Sequence, residues 1–103
     1  MKAIIDGKRY NTQTAEMIDC ESNGLGYGDF QWCAEWLYQT KKGKWFLHGE
    51  GGASSKYSKP AGDMHGPGER LIPMTDNQAL AWLEENHKAD AIEEHFADQI
   101  EDA

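Results

Sequence analysis

Several common signatures of a reaction are missing from this 103-residue chain. It has no GxxxxGK(S/T) phosphate loop, no GxGxxG dinucleotide fingerprint and no HxxxH or HExxH pair among its four histidines. Nucleotide cradling and helix-borne zinc chemistry therefore lack their usual residue spacing. Cysteine is scarce: Cys20 and Cys33 form no CxxC pair, which argues against a zinc ribbon or a thioredoxin-type motif. No apolar run approaches the length of a membrane span. The opening Met1–Asp6 lacks the apolar core of a signal peptide. These absences lead to the expectation of a cytoplasmic protein with both thiols reduced. Positive charge is scarce too. The three clustered lysines, Lys41, Lys42 and Lys44, fall in a predicted turn, so neither direct nucleic-acid binding nor attachment to an anionic membrane is expected.

What is present is negative charge, and it is segregated. Residues 1–75 carry nine basic and nine acidic side chains, whereas Asp76–Ala103 carries Lys88 alone against nine acids, the whole of the net charge of −8. A neutral body with an anionic end points to a basic partner. The apolar fraction is a low 39%, but four Trp, four Tyr and three Phe supply large contact areas for one aromatic-rich core. The reading is a single domain over 1–103, mainly β over 1–74 with a Gly-rich loop at 49–70, and an acidic helical segment over 75–103.

Asp6-Gly7 between short extended runs predicts a hairpin, because both residues tolerate the positive φ of a type I′ turn. Thr14–Glu21 reads equally as strand or short helix. Phe30–Thr40 alternates, with Phe30, Trp32, Ala34, Trp36 and Tyr38 set against a mostly polar face, and predicts a strand. Lys44–His48 returns to it across the Lys41-Lys42-Gly43 turn. Gly49–Arg70 holds six glycines and two prolines and reads as loop, followed by a short edge strand at Leu71-Ile72 that Pro73 ends. Thr75-x-x-Gln78 fits a capping box that opens a helix. A break at Asn86–Lys88 follows, although no Gly or Pro enforces it and one long bent helix is the alternative; Asp90 is placed to cap a second helix with Ala89, Ile92, Phe96 and Ile100 on its apolar side. Strands followed by helices predict an α+β fold: a small antiparallel sheet of hairpins with two C-terminal helices packed on one face.

The stretches MKAIIDGKRYNT (Met1–Thr12) and LYQTKKGKWFLHGEGG (Leu37–Gly52) resemble small proteins scattered through bacterial genomes, phages and other mobile elements. The acidic end from Trp82-Leu83-Glu84-Glu85 onward fits the same pattern, and Ala53–Arg70 lies outside the likeness. The resemblance carries over no catalytic residue. It implies a mobile-element context, in which small acidic proteins block host defence. Anti-CRISPR inhibitors are similar in size and charge, a likeness of kind rather than of motif.

The leading expectation is a non-enzymatic acidic inhibitor in a bacterial host cell. It presents Asp90, Glu93, Glu94, Asp98, Glu101 and Asp102 to the basic surface of a host protein or ribonucleoprotein complex, a CRISPR effector being one candidate, in the place of nucleic acid. The same residues also read as a face that only keeps a helix soluble. One alternative is a structural or assembly module that binds through the aromatic sheet. A second is a small enzyme in which His48 and Glu50 of the His48-Gly49-Glu50-Gly51-Gly52 string act as acid and base. The favoured reading of that string is a strand ending in a glycine turn. No cofactor and no metal site are expected.

Overall fold

A computed structural model describes residues 1–103. Asp6 and Gly7 take φ of +52° and +77° and join β1 (Lys2–Ile5) to β2 (Lys8–Asn11), with Ile5 opposite Lys8, as the turn chemistry requires. The ambiguous segment is a strand, β3 (Glu16–Ser22). It pairs with β4 (Cys33–Gln39), which pairs with β5 (Trp45–Gly51), which pairs with β8 (Gly68–Met74), all antiparallel, in the order β3-β4-β5-β8. Between β5 and β8 a small hairpin, β6 (Lys59–Ala61) and β7 (Met64–Gly66), stands apart from the main sheet. Helices α1 (Asp76–Glu85) and α2 (Ala89–His95) close the chain, followed by a 3₁₀ turn at Ala97–Gln99. No helix is long and apolar enough to cross a membrane.

The sheet is covered on both faces. On one side Leu37, Trp45 and Leu47 meet Ala79, Trp82 and Leu83 of α1, Ala91 of α2, and Phe96. On the other, the β1–β2 hairpin lays Tyr10 against Phe46 and Leu71, with Tyr38 stacked on Phe46 at 5.2 Å. Double coverage explains why Trp45, Phe46 and Leu47 are consecutive and all buried. It also corrects the expected facing of β4. Leu37, assigned by alternation to the polar side, is fully buried beneath the helices, because its neighbours Trp45 and Leu47 build the main core there. Phe30 and Trp32 precede β4 in a turn, and Phe30 is 72% exposed.

The predicted loop over 49–70 is largely structured. Its ends belong to β5 and β8, and its middle holds the small hairpin. Gly49, Gly51, Gly52 and Gly68 serve close approach rather than flexibility, whereas Gly62 supplies a positive φ of +67° between the strands of the small hairpin. A Cβ at Gly49 would overlap the ring of Tyr57, which the segment after β5 folds back over the helix-side face of the sheet. The edge strand is longer than predicted and includes Pro73, which sits opposite Phe46, where β8 has no further neighbour to receive an N–H.

The capping box forms: Thr75 Oγ1 accepts the Gln78 N–H at 3.2 Å, and Gln78 Oε1 accepts the Thr75 N–H at 2.8 Å. The helix break comes where expected, but through His87 at φ +60° and not through a cap by Asp90. Lys88 is the residue before α2, it caps nothing with its side chain, and Asp90 lies in the first turn. The second helix is also shorter than its apolar pattern suggests. It ends at His95; Ala91 rather than Ala89 is buried, and Ile100 is exposed.

Candidate functional site

The six carboxylates proposed for partner contact are all exposed, on three different pieces of backbone. Asp90, Glu93 and Glu94 lie on α2, Asp98 in the 3₁₀ turn, and Glu101 and Asp102 in the tail beyond it. The continuous helical row expected over this segment is therefore a short helical patch followed by a tail. None of the six is within 4.0 Å of a Lys or Arg nitrogen; the one ionic neighbour is His95, 3.9 Å from Glu94. Lys88, the segment's only cation, turns away. Its Nζ lies 3.2 Å from Glu21 and 3.5 Å from Asp19 on β3. The hydrogen bond from Lys88 holds the Glu21 carboxyl below its usual range, and these two acids raise the Lys88 ammonium against the opposing effect of burial. The segment's positive charge is spent on the sheet, and its outer surface stays anionic.

A second constellation sits on the opposite face of the sheet. Side chains two apart on a strand share a face, so His48 and Glu50 project together from β5. Glu69 of β8 is directly opposite Glu50. His48 Nε2 is 3.0 Å from Glu69 Oε2 and 4.0 Å from Glu50 Oε2. The imidazole stacks on Trp36 of β4, its register partner, with ring centroids 5.2 Å apart. Thus the expected pairing of His48 with Glu50 is extended by a third group that strand pairing alone supplies. The three ligand atoms lie within 4.8 Å of one another and could hold a metal.

Glu50 and Glu69 also line a cleft of about 520 Å³ together with Tyr27, Phe30, Trp32 and Lys59. Backbone bonds from Gly52 to Trp32 and from Ser54 to Phe30, at 2.8 and 2.7 Å, fasten its aromatic wall to the segment after β5. Tyr27 and Trp32 pack at 4.6 Å, yet Tyr27 remains 79% exposed. At the other end of the molecule Lys8 and Arg9 join Lys41, Lys42 and Lys44 around one groove, so the lysine turn does not stand alone.

Glu35, to which sequence patterning assigned no role, ties the helix-side layer together. It accepts hydrogen bonds from the Tyr57 hydroxyl, from Trp82 Nε1 at 3.0 Å and from Lys56 Nζ at 2.9 Å. Burial alone would raise this carboxyl, but the three donors and the Lys56 charge outweigh it and hold it below the usual carboxylate range. Burial, then the bond to Glu35 and its charge, push the Tyr57 phenol well up. Both ends of this network are structural: the side chains join β4, the segment after β5, and α1.

Both cysteines are free thiols, Cys20 exposed and Cys33 half-buried. No family model matches the chain, and no curated protein or solved structure is significantly similar to it.

Proposed function

We propose that the chain is a non-enzymatic binding protein that docks its acidic C-terminal patch on the basic surface of a host protein or ribonucleoprotein complex. One observation carries the reading. Six exposed carboxylates have no Lys or Arg partner, while the only lysine of the segment is held by Asp19 and Glu21. Asp90 and Glu94 are four apart on α2, a spacing at which like charges cost a few tenths of a kcal/mol in an isolated helix. A basic partner relieves that repulsion, and complementary fields speed encounter.

The resemblance to proteins of phages and mobile elements extends the reading to the kind of partner. It is a complex that holds DNA or RNA in a positively charged groove, CRISPR effectors included, and the acidic patch occupies the groove in the place of nucleic acid. The chain's own nucleic-acid contact is not part of this role.

Affinity capture from bacterial lysate with mass-spectrometric identification tests it. Asp90→Lys, Glu94→Lys and Asp98→Lys together should abolish capture of the partner. Glu16→Lys with Asp63→Lys, which reverses two exposed acids elsewhere, should preserve it. Equal capture by all three proteins refutes the reading.

A further inference from the structure

We propose that His48, Glu50 and Glu69 form a binding site for one divalent transition-metal ion of borderline softness, with Zn²⁺ the best match. The inference is independent of the acidic patch, which lies on other elements.

Three observations converge on it. The first is the donor set: one imidazole nitrogen and two carboxylate oxygens, within 4.8 Å of one another. Imidazole with carboxylate suits zinc and its neighbours better than the hard, all-oxygen preference of calcium or magnesium. The second is spacing. Ligand bonds of about 2.0–2.2 Å in a tetrahedron place donor atoms about 3.2–3.6 Å apart. His48 Nε2 lies 3.0 Å from Glu69 Oε2 and 4.0 Å from Glu50 Oε2, on either side of that range. The two carboxylate oxygens lie within 4.8 Å of each other, so an ion would draw both glutamate side chains inward; Glu50 is 25% and Glu69 49% exposed.

The third observation points to a cation rather than to a fortuitous cluster. Glu50 and Glu69 face each other directly across the β5–β8 ladder on one face of the sheet. Like charges so placed are destabilising. No Lys or Arg nitrogen lies within 4.0 Å of either carboxylate, so His48 is their one ionic neighbour. Trp36, stacked on the imidazole, holds the ring against the sheet. A divalent ion seated between the three would neutralise both carboxylates. Three protein ligands leave one tetrahedral position for water or another donor. Two of the ligands line the aromatic-walled cleft, which gives such a donor room.

Isothermal titration of ZnCl₂ into the full-length, EDTA-treated protein tests the site. One ion should bind per chain. Glu69→Gln and His48→Gln should each weaken binding at least about tenfold, since even outer-shell partners are worth about 10–100-fold. His65→Ala, at an exposed histidine on β7, should leave it unchanged. Glu69 is half-exposed, so its variant keeps the fold, verified by an unchanged circular-dichroism spectrum. Absence of saturable binding, or binding that persists in both ligand variants, or loss of binding in His65→Ala, overturns the proposal.

Discussion

Replacing Glu35 with alanine should cost this protein a large part of its stability. The side chain is 14% exposed and accepts three hydrogen bonds. Truncation leaves the Tyr57 hydroxyl and the Trp82 indole N–H without their acceptor in a part-buried site, each at about 1–3 kcal/mol. Lys56, whose side chain is 63% exposed, returns to water at little cost. The total is about 2–6 kcal/mol, against about 5–15 kcal/mol for a whole domain. An unfolding entropy of about 2.1 cal/mol/K per residue gives about 0.22 kcal/mol/K for this chain, so the melting temperature should fall by about 9–27 °C. Thermal unfolding followed by far-UV circular dichroism measures it. Tyr57→Phe removes a single donor and should cost about 1.5–3 kcal/mol, since the acceptor is charged. If Glu35→Ala melts within about 5 °C of the parent, roughly 1 kcal/mol, the carboxylate does not hold the layers together and the reasoning fails.

The same group sets a pH dependence. The folded-state value of Glu35 lies below that of an unfolded Glu, near 4.3, so its ionisation stabilises the fold above that pH. That contribution is lost as pH falls through the folded value. Glu35→Gln cannot titrate, so its stability gap from the parent should narrow on acidification, as read by urea midpoints at successive pH; a gap independent of pH contradicts this. Gly49→Ala should force the Tyr57 ring off the sheet and cost about 1–3 kcal/mol in the same melts, as overpacked cores do, and a neutral effect would show the close approach to be unimportant. The metal titration described above is independent of all of these.

Short-range chemistry was readable from residue order. Asp6-Gly7 specified its turn and Thr75 and Gln78 their capping box, whereas the break at Asn86–Lys88, which residue order left open, is decided by His87 at φ +60°. Features that depend on strand neighbours were not readable. Alternation along β4 correctly separates Leu37 from Trp36, but which face receives the helices depends on Trp45, Leu47, Ile72 and Met74 across the ladder. The glycines around position 50 look like flexibility in the sequence; they are spaces filled by the Tyr57 ring at Gly49, the Ser55 side chain at Gly51 and the Asp29-Phe30 backbone at Gly52. The candidate sites divide in the same way. The acidic segment is local and was legible, although the helix that carries it stops at His95. His48 and Glu50 shared a strand face and were legible as a pair. Glu69 joined them through the β5–β8 register, which places it opposite Glu50 from nineteen positions along the chain.

The proposed role stands on uncompensated carboxylates on α2 and the turn after it binding a basic partner. Titrating salt against the purified complex tests it most directly, because screening shortens from about 10 Å at 0.1 M to about 3 Å at 1 M. The dissociation constant should rise more than about tenfold across that range for the parent, with the dependence largely removed by reversing Asp90, Glu94 and Asp98. A complex equally tight at both salt concentrations would contradict it.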